Sequence, residues 1–276
     1  MAESNKRYFA PIHWLRRCLR AVLVAVVGER AWLAFRLRQG RLPRNAYYDR
    51  MSLLVMRRVL APDSVAVDVG CHRGDVLADM IATAPQGRFL AFEPLPEMYQ
   101  QLQQRFAGDH RVRLFCLALS DRSGRSGFNH VISNPAYSGL EKRRYDRPEE
   151  RDQQIEVETE CLDAVVGRVQ PGRIALIKID VEGGEYQVLE GAAQVLQHDR
   201  PIILFEHGRG ASDCYGTTPE AMWQLLVEQQ DMHIYLLNDW LGGQAPLSQQ
   251  QFVDGFHHGP EYFYLAHPCM APQRRC

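Results

Sequence analysis

An alternation constrains this chain more than any other feature. From residue 65 onward, short β-branched and aliphatic runs (65–69, 88–93, 174–180, 201–206) are separated by segments with helical spacing. Strands that alternate with helices form a mostly parallel sheet covered on both faces. The predicted fold class is therefore α/β, a doubly wound, mostly parallel sheet.

Strands are expected at 65–69, 88–93, 112–119, 128–132, 155–161, 174–180, 201–206, 233–238 and 262–266, and helices at 76–84, 96–106, 185–196 and 218–229. A polar, Arg-rich stretch at 133–152 interrupts the alternation. Its mixed charges around 141–151 predict a mobile, solvated lid or substrate loop. Upstream, Ile12, Leu15, Leu19, Val22, Leu23, Val26 and Val27 recur at three- and four-residue intervals, which predicts a helix over 11–38, in two pieces around Gly28. A second helix over 47–60 ends before Pro62. Residues 1–46 read as a basic amphipathic helical extension, and 47–276 as the main domain.

The net charge of −1 conceals an asymmetry. Residues 1–44 hold ten Lys or Arg against Glu3 and Glu29, a balance of +8 that leaves −9 for 45–276. A basic end on an acidic body suits an anionic partner. With Trp14, Trp32 and Phe35, the extension fits either a cap on the domain or a peripheral membrane contact through residues 11–38. No nucleic-acid motif accompanies the arginines, and nucleic acid is not expected. The longest apolar stretch there, 21–27, falls far short of the ~20 residues needed to span a bilayer. Seven cysteines without a CxxC pair give neither a zinc spacing nor a disulfide framework. A cytoplasmic setting is expected, peripheral to the inner face of the membrane if the extension binds lipid.

Asp68, Gly70 and Gly74 sit in the run VDVGCHRGD, where the first strand gives way to a helix. In a doubly wound sheet that turn lies at the ligand-binding edge. Gly70 permits close approach of a ligand, and Gly74 lets the helix start close against the sheet. Glu93 ends the next strand, where an acid accepts hydrogen bonds from both hydroxyls of a ribose. A dinucleotide site wants glycine where this chain has Asp68, and spaces its second and third glycines three apart rather than four. A carboxylate repels a pyrophosphate but suits the ammonium and sulfonium of S-adenosylmethionine. Arg73 is either a contact for the methionyl carboxylate or a solvated cation.

The ordered set DVGCHRG (68–74), FEP (92–94), ALSD (118–121), KIDVEGGEYQVLEGA (178–192) and ILFEHG (203–208) resembles the FkbM-type methyltransferases. The resemblance covers roughly residues 60–210 and implies a Rossmann-like, seven-stranded class I fold with S-adenosylmethionine as cofactor. It implies that Asp68, Gly70, Cys71 and Gly74 surround the methionyl part, Glu93 takes the ribose, Ser120 and Asp121 lie near the adenine, and Asp180 borders the transferred methyl. Family members often carry Ala-Asn where this chain has Cys71-His72. The implied reaction is O-methylation of a hydroxyl on a sugar, glycolipid or secondary metabolite, with a small molecule or glycan as acceptor.

Methyl transfer is an in-line displacement, and a hydroxyl acceptor benefits from a base. Asp180, Glu206 and His207 stand at or just past adjacent strand ends and are the candidate catalytic residues. A divalent metal on the same three groups is the weaker alternative, and no metal is assigned. Glu185 reads as a first-turn helix acid, and Cys71 as a small packing residue rather than a nucleophile. Two other readings share the sheet: a nicotinamide-dependent oxidoreductase, disfavoured by Asp68 and the glycine spacing, and a non-enzymatic, membrane-associated protein that retained the fold.

Overall fold

The computed structural model describes residues 28–269. The chain divides into two compact units, Met1–Leu54 and Val55–Cys276. Within the first, helix α1 (Glu29–Arg38) starts immediately after Gly28, with an acid in its first turn and Arg36 and Arg38 in its last. That charge order complements the helix dipole. The start agrees with a break at Gly28, whereas the part of the expected helix before it lies outside the described residues. Helix α2 (Arg44–Val59) follows and runs across the division. No helix among the described residues is long and apolar enough to cross a membrane.

The second unit is built on a seven-stranded sheet. Its strands are β1 (Val65–Val69), β2 (Arg88–Phe92), β3 (Val112–Phe115), β7 (Ile174–Ile179), β8 (Ile202–Glu206), β9 (His233–Leu236) and β10 (Phe263–His267), in the order β3-β2-β1-β7-β8-β10-β9. All pairings are parallel except those of β10, which runs against β8 and β9. The expected fold class is therefore the observed one. β1 and β7 are neighbours although the chain travels away to β2 and β3 between them. That reversal opens a crevice at the carboxyl ends of the strands, where ligands of doubly wound sheets bind. The core is aliphatic and continuous beneath it, with Val67, Leu77, Met80, Ile177, Ile179, Leu204 and Phe205 fully buried.

The structure corrects several element boundaries. The run 112–119 is two strands, because the chain leaves the main sheet after Phe115. Ala118–Leu119 (β4) then joins a separate three-stranded sheet with β6 (Asp152–Glu160) and β5 (Gly124–Val131). The run 185–196 is two helices, α6 (Glu185–Glu190) and α7 (Ala193–Asp199). They part at Gly191, where a Cβ would lie 2.1 Å from the carbonyl oxygen of Ser120, so backbone packing interrupts the helix. Helix α5 (Leu162–Val169) links β6 to β7, and α3 (Asp75–Thr83) and α4 (Pro96–Arg105) cover β1 and β2. α8 (Pro219–Trp223) precedes β9. α9 (Leu237–Leu241) cuts short the strand expected to reach 238, and α10 (Gln249–His258) precedes β10.

Candidate active site

β1 delivers the chain to Gly70, whose φ of +73° is a conformation that favours glycine. The backbone amides of Gly70 and Cys71 both donate to the carbonyl of Phe92, each at 3.0 Å, which locks the loop to the end of β2. A Cβ on Gly74 would lie 2.7 Å from both Leu102 and Phe106. Gly74 therefore lets α3 start close against α4, not against the sheet as expected. Cys71 is buried, and burial pushes its thiol well above its ordinary value. It packs rather than reacts.

A cleft opens along this edge. It is lined by Gly70, His72 and Glu93, by the apolar Pro94, Leu95 and Leu117 to Leu119, and by Asp180, Glu182 and Tyr215. Glu93 accepts the backbone N–H of His72 at 2.9 Å and of Leu95 at 3.0 Å. Burial pushes its carboxyl up to about 7, and the two amides oppose that rise. The acid is thus fixed by the backbone in the lining of the cleft.

The register of β1 on β7 pairs Asp68 with Lys178. The Lys178 Nζ lies 3.7 Å from Asp68 Oδ1 and 3.3 Å from Asp180 Oδ2. Asp68 is fully buried, and burial pushes its carboxyl up while Lys178 opposes the shift. It lies beneath the cleft. Burial works against the Lys178 ammonium, yet Asp180 and Asp68 together hold it above the usual lysine range. Asp180 is one-third exposed and lines the cleft. Glu206, on the next strand, is pushed well above the carboxylate range, first by burial and then by the charges of Asp180 and Glu185.

Glu185 is more than a first-turn helix acid. It is buried, its Oε1 accepts the amides of Val181 at 3.1 Å and Gly183 at 3.2 Å, and burial pushes it up to about 7. It shapes the loop that carries Asp180. The stretch 133–152 is also not a loose lid. Arg143 pairs with Glu182 and Arg144 with Asp213, both at short range, and the Glu141 amide donates to the Tyr215 hydroxyl at 3.0 Å. Pro135, Ala136, Ser138 and Leu140 of this strap roof the cleft.

Asp180, Glu93, Gly70 and the loop around them come together; Ser120, Asp121, Glu206 and His207 are not among the residues that line the cleft. Ser120 and Asp121, just past Leu119, bond each other at 3.0 Å and line a hollow that shares Leu140 and Tyr215 with the cleft. His207 is fully buried against Phe252 and Phe256, with both ring nitrogens lacking a hydrogen-bond partner. Burial pushes its imidazole down to about 3. No hydrogen bond links its ring to Asp180 or Glu206, and among the described residues no group of His, Cys, Asp and Glu is placed to hold a metal ion. Sequence reasoning missed Lys178 and the His72 side chain. A lone cation inside the apolar run IALIKID, two residues before Asp180 and so on the same strand face, was the available signal for Lys178.

The residues present fit a nucleoside cofactor. Glu93 lines the cleft with a carboxylate that can accept from hydroxyls, and buried polar atoms of Asp68 and His72 Nε2 lack hydrogen-bond partners, while Gly70 lets the loop pack tightly on the Asp180 backbone.

A family model described as the methyltransferase FkbM domain matches residues 68–233. The chain is 30% identical to the 2-O-methyltransferase NoeI of Sinorhizobium fredii over 171 residues, 55% of this chain and 68% of that protein. It is 30% identical over 186 residues to the AMB antimetabolite synthetase AmbE of Pseudomonas aeruginosa, taking in 55% of this chain but 9% of that protein. The solved FkbM methyltransferase of Methylobacillus flagellatus superimposes with a TM-score of 0.46 at 15% identity, covering 75% of this chain and 44% of that one. The family match opens on Asp68 and runs through Glu93, Asp180 and Glu206; the chain belongs to the FkbM family of methyltransferases.

Proposed function

We propose that this methyltransferase uses S-adenosylmethionine to methylate a hydroxyl of a sugar, glycolipid or secondary metabolite. The observation that carries the reading is the cleft itself. A backbone-fixed acid, Glu93, and an ion-paired carboxylate, Asp180, line it together with Gly70. When bound, the cofactor supplies an electrophilic methyl on a cationic sulfur. Glu93 binds the ribose hydroxyls, and Pro94, Leu95 and Leu117 to Leu119 cover the adenine. Asp68 contributes negative potential from below the loop.

Asp180 receives the acceptor hydroxyl and orients it for displacement, which is where most of the rate advantage of a positioned reactant arises. Glu206 takes the released proton, a role favoured by a carboxyl with raised proton affinity. The strap excludes water over the cleft. The relative from Sinorhizobium, a 2-O-methyltransferase by name, supports oxygen as the accepting atom. Residues 11–38 remain a proposed peripheral membrane contact, suited to an acceptor with a lipid tail.

Calorimetric titration with S-adenosylhomocysteine, followed by incubation with glycan acceptors and S-adenosylmethionine, tests the reading. Micromolar binding and methylated sugar oxygen are expected. Thermal stabilisation by NAD(P)H with none by S-adenosylhomocysteine would sink it.

A further inference from the structure

We propose that Lys178 is a positioning residue that holds the Asp180 carboxylate by a buried ion pair and aims it into the cleft. The register of β1 on β7 sets Lys178 beside Asp68, and the two-residue spacing along β7 sets Asp180 above it on the same face. The ammonium is 6% exposed and touches two carboxylates, at 3.7 Å below and 3.3 Å above. Asp68 and Asp180 thus flank the Lys178 ammonium, one from β1 and one from the end of β7.

The surroundings explain why a cation is needed. Asp68 on β1, Glu185 at the start of α6 and Glu206 on β8 all bear on Asp180 with the same sign. Glu182, on Asp180's own loop, is already paired with Arg143 of the strap. His72 faces Asp180 from the cofactor loop, but burial holds its imidazole below its ordinary value and so towards neutrality. Lys178 is therefore the buried cation in contact with Asp180. Without it, like charges favour proton uptake by Asp180, and a protonated Asp180 can neither hold an acceptor hydroxyl by a charge-assisted hydrogen bond nor complement a sulfonium.

The kinetic part of this proposal rests on the methyl-transfer reading; the ionisation part does not. The test is therefore a carboxyl-carbon NMR titration of ¹³C-aspartate-labelled full-length protein without ligand, with Asp180 assigned through D180N. In K178M the Asp180 midpoint is expected to rise by about one pH unit or more, and in K178R to stay within about half a unit of wild type. Turnover should follow, with the acid limb of the kcat profile displaced upward in K178M and KM for the donor changed less than kcat. D68N, an isosteric exchange, serves should K178M not fold. Removing a negative neighbour is expected to move the Asp180 midpoint downward, the opposite direction. An unmoved midpoint in both variants, or K178M with a wild-type kcat profile, overturns the proposal. Wild-type protein that binds no S-adenosylhomocysteine while its Asp180 midpoint still shifts in K178M overturns the functional reading alone.

Discussion

The backbone amide of His72 donates to Oε2 of Glu93 at 2.9 Å, tying the cofactor loop to the acid that follows β2. Burial pushes that acid up to about 7. Between about 4.5 and 7 the folded protein holds a proton that the unfolded chain has released, so this group's contribution to stability falls as pH rises through that window. Ribose recognition needs the ionised form. Affinity for S-adenosylhomocysteine should therefore weaken as pH falls below about 7, by at most about tenfold per unit. Calorimetry from about pH 5.5 to 8 checks this. E93Q should bind weakly at every pH and lose the slope; a slope that persists in E93Q would assign it to another group.

At Gly70 the constraint is steric. A Cβ there would lie 2.0 Å from the backbone oxygen of Asp180, and φ is +73°. G70A must therefore push β1 and β7 apart at the cleft floor, as well as adopt a left-handed conformation costing roughly 1–2 kcal/mol. A loss of at least about 2 kcal/mol in urea unfolding and abolished cofactor binding are expected. G70A with wild-type affinity would mean that the loop does not approach the cofactor.

The sheet was legible because hydrophobic period and glycine position are local signals. The runs 65–69 and 174–180 needed no tertiary knowledge, and Asp68, Glu93 and Asp180 follow from standing at or near their strand ends. What was hidden depends on contacts between distant segments. Nothing in VRLFCLAL announces that its second half leaves the main sheet to pair with β6, which brings Ala118 and Leu119 to the cleft and puts Ser120 and Asp121 in the hollow beside it. His207 follows Glu206 directly, yet neighbouring residues along extended backbone face opposite ways, so one feels the charge of Asp180 and the other packs on Phe252. The strap reads as loose by composition, but Arg143 and Arg144 find partners 39 and 69 residues away.

The strap gives a kinetic prediction. Arg143 and Glu182 are 16% and 13% exposed, so their ion pair is shielded from solvent at the cleft's lip. Breaking it frees the roof without touching Glu93 or Asp68. E182Q should bind and release S-adenosylhomocysteine faster, several-fold in each rate, while Kd moves less. Stopped-flow tryptophan fluorescence reads both rates. Slower or unaltered exchange would show that the strap does not gate entry.

His207 offers the last prediction, one that separates packing from chemistry. Its ring centroid lies 5.6 Å from that of Phe252 and 4.8 Å from that of Phe256, in a slot with no polar partner. With its imidazole pushed down to about 3, the folded protein stays neutral there while the unfolded chain takes up a proton below about 6.5. Stability from this group is therefore full above about 6.5 and is lost as pH falls towards 3, at up to about 1.4 kcal/mol per unit. H207F places an apolar ring in the same slot and removes that penalty, and the backbone bond from residue 207 to the Tyr262 carbonyl at 2.8 Å is kept. The drop in Tm between about pH 7 and 5 should shrink by several degrees relative to wild type, with kcat within about twofold. An H207F protein that folds normally yet loses more than about a hundredfold in kcat, the scale of a missing general base, would return His207 to the active site.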